Sequence, residues 1–139
     1  MLKIKQIEFV QRKLAKRVPG YSSLSYEERL LRLDMHSLKM RRLRQDLLLA
    51  YKIIFNLVNG AAYNMFTLTN TLYSTCTRGH PYKLYLHSSR IDTRKYFFSE
   101  RITIPWNSLP ATSADFSSFS SFKLLINSVD LSAHVSLGF

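Results

Sequence analysis

The chain has 139 residues, enough for one domain with a modest core, and its 46% hydrophobic and 13% aromatic content is typical of globular proteins. Twenty Lys and Arg against nine Asp and Glu give a net charge of +11, which favours polyanionic partners such as RNA or DNA. The single cysteine, Cys76, excludes an intrachain disulfide, and no apolar run approaches the roughly 20 residues that span a bilayer, so we expect no membrane partner.

The positive charge is concentrated at the N-terminal end. Residues 1–52 carry thirteen basic and five acidic residues, whereas residues 102–139 carry one and two. A basic amphipathic start resembles a mitochondrial presequence, but Glu8 and the absence of Ser before residue 22 argue against that interpretation. We therefore expect a nuclear or cytoplasmic protein.

Two short helices are predicted first. Residues 3–18 place apolar side chains at helical spacing opposite basic ones, which predicts a basic amphipathic helix that Pro19 and Gly20 end. Ser25 followed by Glu28 forms a capping-box pattern, so a second helix is predicted from there to about Leu33. The apolar positions of the first helix are Ile7, Val10, Leu14 and Val18.

A third and longer helix is predicted over residues 37–58, with its stop at Asn59 and Gly60. Its first half has two distinct faces, but its second half is apolar all round, which is typical of a helix covered on every side. We expect part of this surface to pack against a neighbour, which could lie outside the chain. The apolar residues on the face expected to be polar are Leu48, Leu49, Ile53 and Phe55.

The remaining chain predicts little regular structure. Alternation over 83–87 favours a strand that could pair with 96–98. Ser99 could cap a helix running towards Asn107, and Phe97 and Phe98 are interpreted as core residues. The Ser-rich stretch 111–121 is interpreted as a linker before a short terminal helix near 120–129. We therefore predict a mainly α fold with a possible short β-hairpin near 83–98, divided into a helical region, 1–110, and a C-terminal region, 111–139.

Short runs of residues between positions 7 and 123 form an ordered set with a definite spacing. They are Ile7, Glu8, Val10, Gln11, Arg12, Lys16, Arg17, Val18, Pro19, Gly20, Leu24, Ser25, Tyr26, Glu27, Glu28, Arg29, Leu30, Leu38, Arg41, Arg42, Leu43, Arg44, Asp46, Leu47, Tyr51, Lys52, Ile53, Thr77, Arg78, Gly79, His80, Arg94, Lys95, Phe97, Phe98, Ser99, Arg101, Trp106, Asn107, Ser108, Leu109 and Pro110. In order and spacing they resemble the region beyond the catalytic palm of non-LTR (LINE-type) retrotransposon reverse transcriptases.

The resemblance implies a thumb-like, post-palm region that grips template and primer through backbone phosphates. In that family, polymerisation needs two adjacent aspartates that hold metal ions. No Asp-Asp pair occurs in this sequence. We therefore expect a non-catalytic part of an RNA-directed DNA polymerase, with no cofactor or metal of its own, whose partners are RNA or DNA and the absent palm and fingers.

Nine residues are candidates for phosphate contact. Consecutive helical turns present basic side chains along one line, as phosphate tracking requires. In the Thr77–His80 turn, an arginine fork and a histidine donor could meet a phosphate, although Arg78 could equally pair with a carboxylate and His80 cap the next strand. The candidates are Arg12, Lys13, Lys16, Arg17, Arg41, Arg42, Arg44, Arg78 and His80.

Other interpretations remain open. The chain could be an interaction module that docks on another protein through the apolar third helix, with its charge serving only solubility. It could also be a transposon remnant without function. Cys76 and His80 have a spacing seen among metal ligands, but a closed zinc site needs four ligands, so ordinary packing is the favoured interpretation. Trp106 is expected to anchor the core rather than stack on a base.

Overall fold

A computed structural model describes residues 2–58, 64–72, 79–87 and 97–135, with only the backbone of 2–5 and 71. The chain divides into two compact units, Met1–Arg42 and Leu43–Phe139, whereas the sequence predicts a boundary after residue 110. The predicted mainly α class is confirmed. The described helices are α1 (Leu2–Lys16), α2 (Tyr26–Arg32), α3 (Leu38–Ile54), α4 (Thr69–Leu72), α5 (Phe98–Asn107), α6 (Phe119–Ser128) and α7 (Ser132–Val135).

Local signals set the helix boundaries of the first unit. After α1, Gly20 takes a φ of +81°, the left-handed conformation that glycine adopts without strain. The predicted capping box of α2 is confirmed, because the Ser25 side chain accepts from the Glu28 N–H and the Glu28 carboxylate accepts from the Ser25 N–H. The hydroxyl of Ser37 accepts from the Met40 N–H at the start of α3.

The helix α3 ends four residues before the predicted limit at residue 58. Asn56 has a φ of +55°, and the Leu57 N–H donates to the carbonyl of Lys52, so the chain closes in a left-handed C-terminal cap. From the sequence, this stop is predicted at Asn59 and Gly60. An asparagine three residues earlier performs it, because Asn tolerates the left-handed conformation better than most residues.

An aromatic core fills the second unit. Tyr51 on α3 stacks on Phe122 of α6, with ring centroids 4.6 Å apart, and its hydroxyl donates to the carbonyl of Phe116 at 2.9 Å. The ring of Trp106 lies 5.3 Å from that of Phe122, and neither side chain is exposed. The core role predicted for Trp106 is thus the one observed.

The Ser-rich stretch 111–121 is not a linker. It contains the 3-10 turn Ala114–Phe116, and the Phe116 side chain, 2% exposed, packs among the core rings. The composition of this stretch indicates flexibility, but burial of Phe116 holds it in place, because a fully buried aromatic ring contributes about 1.5–3 kcal/mol to the stability of the fold. The terminal helix predicted near 120–129 is observed as α6, and the Ser118 side chain accepts from the Ser121 N–H at its start.

The predicted pairing of 83–87 with 96–98 is wrong for the residues that the structure describes. Leu84 forms an isolated antiparallel bridge with Leu68 instead, and Phe98 is already the first residue of α5. The N-cap of α5 is Phe97 rather than Ser99, and the Phe97 side chain is 55% exposed instead of lying in the core. A side-chain partner replaces the second strand: Asn107 accepts from the Leu84 N–H and donates to its carbonyl, both at 2.8 Å.

The apolar second half of α3 is largely covered within the chain. Leu48 and Ile53, for which the sequence suggested no packing partner within the chain, are 8% and 6% exposed. Phe55 is half-buried, while Leu49 keeps 42% of its surface in solvent. The inference of an outside neighbour for this surface is therefore corrected. Aromatic residues far away in sequence supply part of this packing: the Phe116 ring contacts those of Tyr51 and Phe55, and the Phe119 ring contacts that of Tyr51, which helical periodicity cannot reveal.

Candidate nucleic-acid interface

In α1 the inward side is polar and the apolar stripe faces solvent. Glu8, Gln11 and Ala15 are 9%, 8% and 4% exposed, whereas Ile7, Val10 and Leu14 are 58%, 64% and 65% exposed. Amphipathic helices usually bury the apolar stripe. The reversal is possible because Gln11 and one carboxylate oxygen of Glu8 find hydrogen bonds, which offsets part of the cost of burial, whereas Glu8 Oε2 has no partner among the described residues.

Those hydrogen bonds come from α2 and from residues 36–41. The Tyr26 hydroxyl donates to Glu8 Oε1 at 2.6 Å, and burial followed by this bond raises the pKa of Tyr26, so the hydroxyl remains a donor at neutral pH. Gln11 Nε2 donates to the carbonyl of His36 at 3.2 Å, and Arg41 Nη2 donates to Gln11 Oε1 at 3.3 Å. The Glu8 carboxylate, the one acidic group of α1, is therefore buried and hydrogen-bonded inside the first unit.

With Glu8 turned inward, the solvent side of α1 carries no acidic group. From Gln6 to Lys16, each exposed side chain is cationic, apolar or the Gln6 amide. The first unit as a whole has eleven basic and four acidic residues, a net charge of +7. An anion approaching α1 thus meets cations without competing carboxylates on the same helix.

One arginine from each of two predicted cation groups lies near Tyr26 in the first unit. Arg12 lies over the ring of Tyr26, with its guanidinium carbon 4.7 Å from the ring centroid, and the positive charges of Arg12 and Arg41 both act on the Tyr26 hydroxyl. Arg41 is exposed. We define the α1 cation cluster as these two arginines together with three further exposed residues of the first unit, Lys13, Lys16 and Arg17.

The other two arginines of α3 are less available. Arg44 donates through Nη2 to the carbonyl of Asn127 at 3.3 Å, and its Nε is buried, so this side chain ties α3 to the end of α6. Arg42 is half-buried and has an interaction within the chain. The predicted group of three arginines therefore separates into one exposed side chain, Arg41, and two that are engaged in the fold.

His80 cannot contact a phosphate, which corrects its predicted role. Its side chain is 1% exposed, Nε2 lies 3.0 Å from the carbonyl of Trp106, and the ring packs 4.9 Å from that of Phe116. A turn in the sequence suggested exposure, but the following residues fold onto the end of α5, where Trp106 Nε1 donates to the carbonyl of Tyr82 at 2.7 Å. Arg78, and Cys76 with it, lie outside the described residues.

The burial of His80 makes stability depend on pH. Desolvation lowers its pKa from the ordinary 6.5, and Lys83 adds to this effect against the opposing bond to Trp106. As the pH falls below about 6.5, the unfolded chain binds a proton that the folded chain resists, so the free energy of unfolding decreases. We expect urea denaturation to show less stability at pH 5.5 than at pH 7.5, with a smaller difference for His80→Gln. Equal differences in both proteins would contradict this assignment.

A cleft that the sequence did not suggest lies in the second unit. It has a volume of about 490 Å³ between the end of α5 and residues 128–134, and Ser108 Oγ lies 2.7 Å from His134 Nε2 inside it. Their separation of 26 residues leaves no motif by which the pair could have been found.

The serine-histidine pair in this cleft lacks the further groups of a nucleophilic site. Ser108 Oγ donates to the carbonyl of Pro105 at 2.8 Å, so its one proton is directed to the backbone rather than to His134. Among the described residues, nothing hydrogen-bonds to Nδ1 of His134, which would have to be held by an orienting partner for the ring to act as a base. The pair is best explained as a polar contact that joins α7 to the end of α5.

Two classes of site are not found in the part of the chain described here. The helices there are too short or too polar to cross a bilayer. No group of three or more His, Cys, Asp or Glu residues in these ranges is arranged to hold a metal ion. The surface with a clear chemical character is the α1 cation cluster.

Comparisons with protein-family models, with curated proteins and with solved structures found no significant match to this chain.

Proposed function

We propose that this chain is a non-catalytic part of a reverse transcriptase-like protein that holds RNA or DNA through the phosphate backbone. The observation that carries the proposal is the inward turn of Glu8, which leaves the solvent side of α1 without an acidic group. Cations on a helix side that carries no carboxylate of its own attract a polyanion, because each phosphate contact releases condensed counterions. The proposed binding surface is the α1 cation cluster.

The cluster supports positioning rather than sequence readout. Lysine and arginine side chains on a helix surface meet phosphates, which look alike at every base. Arg12 is also held over the Tyr26 ring, so it would lose little conformational freedom on binding. The chain would contribute affinity and orientation to a polymerase whose palm and fingers lie elsewhere, at nuclear or cytoplasmic sites where template is present.

The proposal is tested by the salt dependence of binding. Five phosphate contacts predict a slope of log affinity against log salt of about −3.5 for a single strand and about −4.5 for a duplex. Filter binding of labelled RNA and of DNA duplex between 50 and 200 mM salt measures this slope. A flat response, or no binding at 50 mM, would refute the proposed function.

A further inference from the structure

The exposed apolar side chains of α1 form a narrow seam. Ile7, Val10 and Leu14 are spaced by three and then four residues, and at 100° per residue they lie within an arc of about 60°. All three are more than half exposed. We define these residues as the α1 seam. Phosphates do not cover aliphatic side chains, so the proposed nucleic-acid contact leaves this seam in water.

The spacing is that of a coiled-coil interface. With Ile7 and Leu14 at heptad position a and Val10 at position d, the two g positions are Gln6 and Lys13. The e position between them is Gln11, which is buried and bonded inside the first unit. One flank of the seam is therefore closed by the protein's own fold, and the open flank carries Lys13.

From this arrangement we propose that the α1 seam docks an acidic amphipathic helix of another protein. Three apolar knobs in a narrow line fit the groove of one partner helix, and glutamate or aspartate beside that groove would meet Lys13 and the cations further round α1. Three side chains form a small surface, and stable complexes bury roughly 800 Å² per partner, so we expect a weak and transient contact.

Two other occupants fit less well. A second copy of the chain would place another α1 with an acid-free solvent side against the first, with a net charge of +11 on each molecule, and would suffer like-charge repulsion. A lipid surface favours a helix with a broad apolar face. Here the other large exposed apolar residue of α1, Phe9, lies outside the seam, at least about 100° from each of its members, and Lys13 Nζ is 4.6 Å from its ring centroid.

The test uses the full chain and a designed, labelled peptide of three heptads with Leu at a and d and Glu at e and g. We expect fluorescence anisotropy to show binding about tenfold or more tighter than for the same peptide with Lys at e and g. The variant Ile7→Ser/Val10→Ser/Leu14→Ser should lose at least about tenfold in affinity, because it removes the knobs but keeps all charges. Leu124→Ser, at a residue that is 71% exposed on α6, is the matched control and should bind as the original chain does.

Each alternative has its own outcome. Equal binding of the acidic peptide by the original chain and the triple Ser variant would mean attraction by net charge alone and would overturn the proposal. Seam-dependent capture by vesicles of phosphatidylserine and phosphatidylcholine, without peptide binding, would overturn it in favour of a lipid surface. Val10→Ser alone repeats the measurement if circular dichroism shows that the triple variant is unfolded. RNA affinity of the same variants reports separately on the proposed function, since no cation is changed.

Discussion

Replacement of Trp106 by alanine is expected to lower the free energy of unfolding by about 3–5 kcal/mol, which is a large part of the stability of a small protein. The side chain is fully buried, its ring packs against those of Phe116 and Phe122, and its Nε1 donates to the carbonyl of Tyr82 at 2.7 Å. The loss therefore combines a large cavity with an unpaired carbonyl. Urea denaturation followed by circular dichroism measures it, since the variant has no tryptophan fluorescence.

Two further variants separate the causes. Trp106→Phe keeps a ring but removes the donor to Tyr82, so we expect a loss of about 1–3 kcal/mol in addition to any from altered packing. Phe97→Ala removes a residue that is 55% exposed and should change stability by no more than about 0.5 kcal/mol. A similar loss for Phe97→Ala and Trp106→Ala would contradict the placement of the core.

The second large effect is expected on nucleic-acid affinity. The variant Lys13→Gln/Lys16→Gln/Arg17→Gln leaves two cations of the α1 cation cluster, Arg12 and Arg41, which have polar or ring contacts in the fold. Removing three phosphate contacts should lower affinity at 0.1 M salt by about 100-fold for a single strand and about 500-fold for a duplex. The slope against log salt should fall in magnitude to between about 1.4 and 1.8.

A charge-matched control keeps this prediction specific. Lys39, Lys52 and Lys123 lie outside the cluster, and their replacement by Gln gives the same net charge of +8. If binding depends on the α1 cation cluster, this control should retain most of the affinity and nearly the original slope. Equal losses in the two triple variants would show that net charge alone drives binding, and the interface assigned to α1 would then be wrong.

Signals that act within a few residues predicted the helices well. The Ser25 and Glu28 capping box, the Pro19 and Gly20 stop, and the mainly α class follow from backbone donors and conformational preferences that are satisfied locally. The end of α3 was placed too late because Asn56 and the pair Asn59 and Gly60 are equally plausible stops by local chemistry. Hydrogen bonding of the Leu57 N–H back to Lys52 favours the earlier one.

The candidate site was only partly predictable. Arg12, Lys13 and Lys16 of α1 are visible in the sequence, and the structure leaves them exposed. Arg41 joins them through Gln11, a contact across 30 residues that no motif encodes. His80 and Arg44 are candidates only because of their residue types. In the structure, Arg44 donates to the carbonyl of Asn127, and His80 Nε2 lies against the carbonyl of Trp106 in the core. The sequence shows which side chains can donate hydrogen bonds, but not which acceptors the fold places beside them.

The sequence by itself thus determined the helical class, the local caps and the concentration of positive charge before residue 53. Only the tertiary structure decided which side of α1 faces solvent, because that depends on whether partners from distant residues satisfy Glu8 and Gln11. Tyr26 supplies a donor to one Glu8 oxygen and the carbonyl of His36 an acceptor for Gln11, and these bonds lower the cost of burying the polar side. The outcome is a helix that presents Arg12, Lys13 and Lys16 together with its apolar seam to solvent.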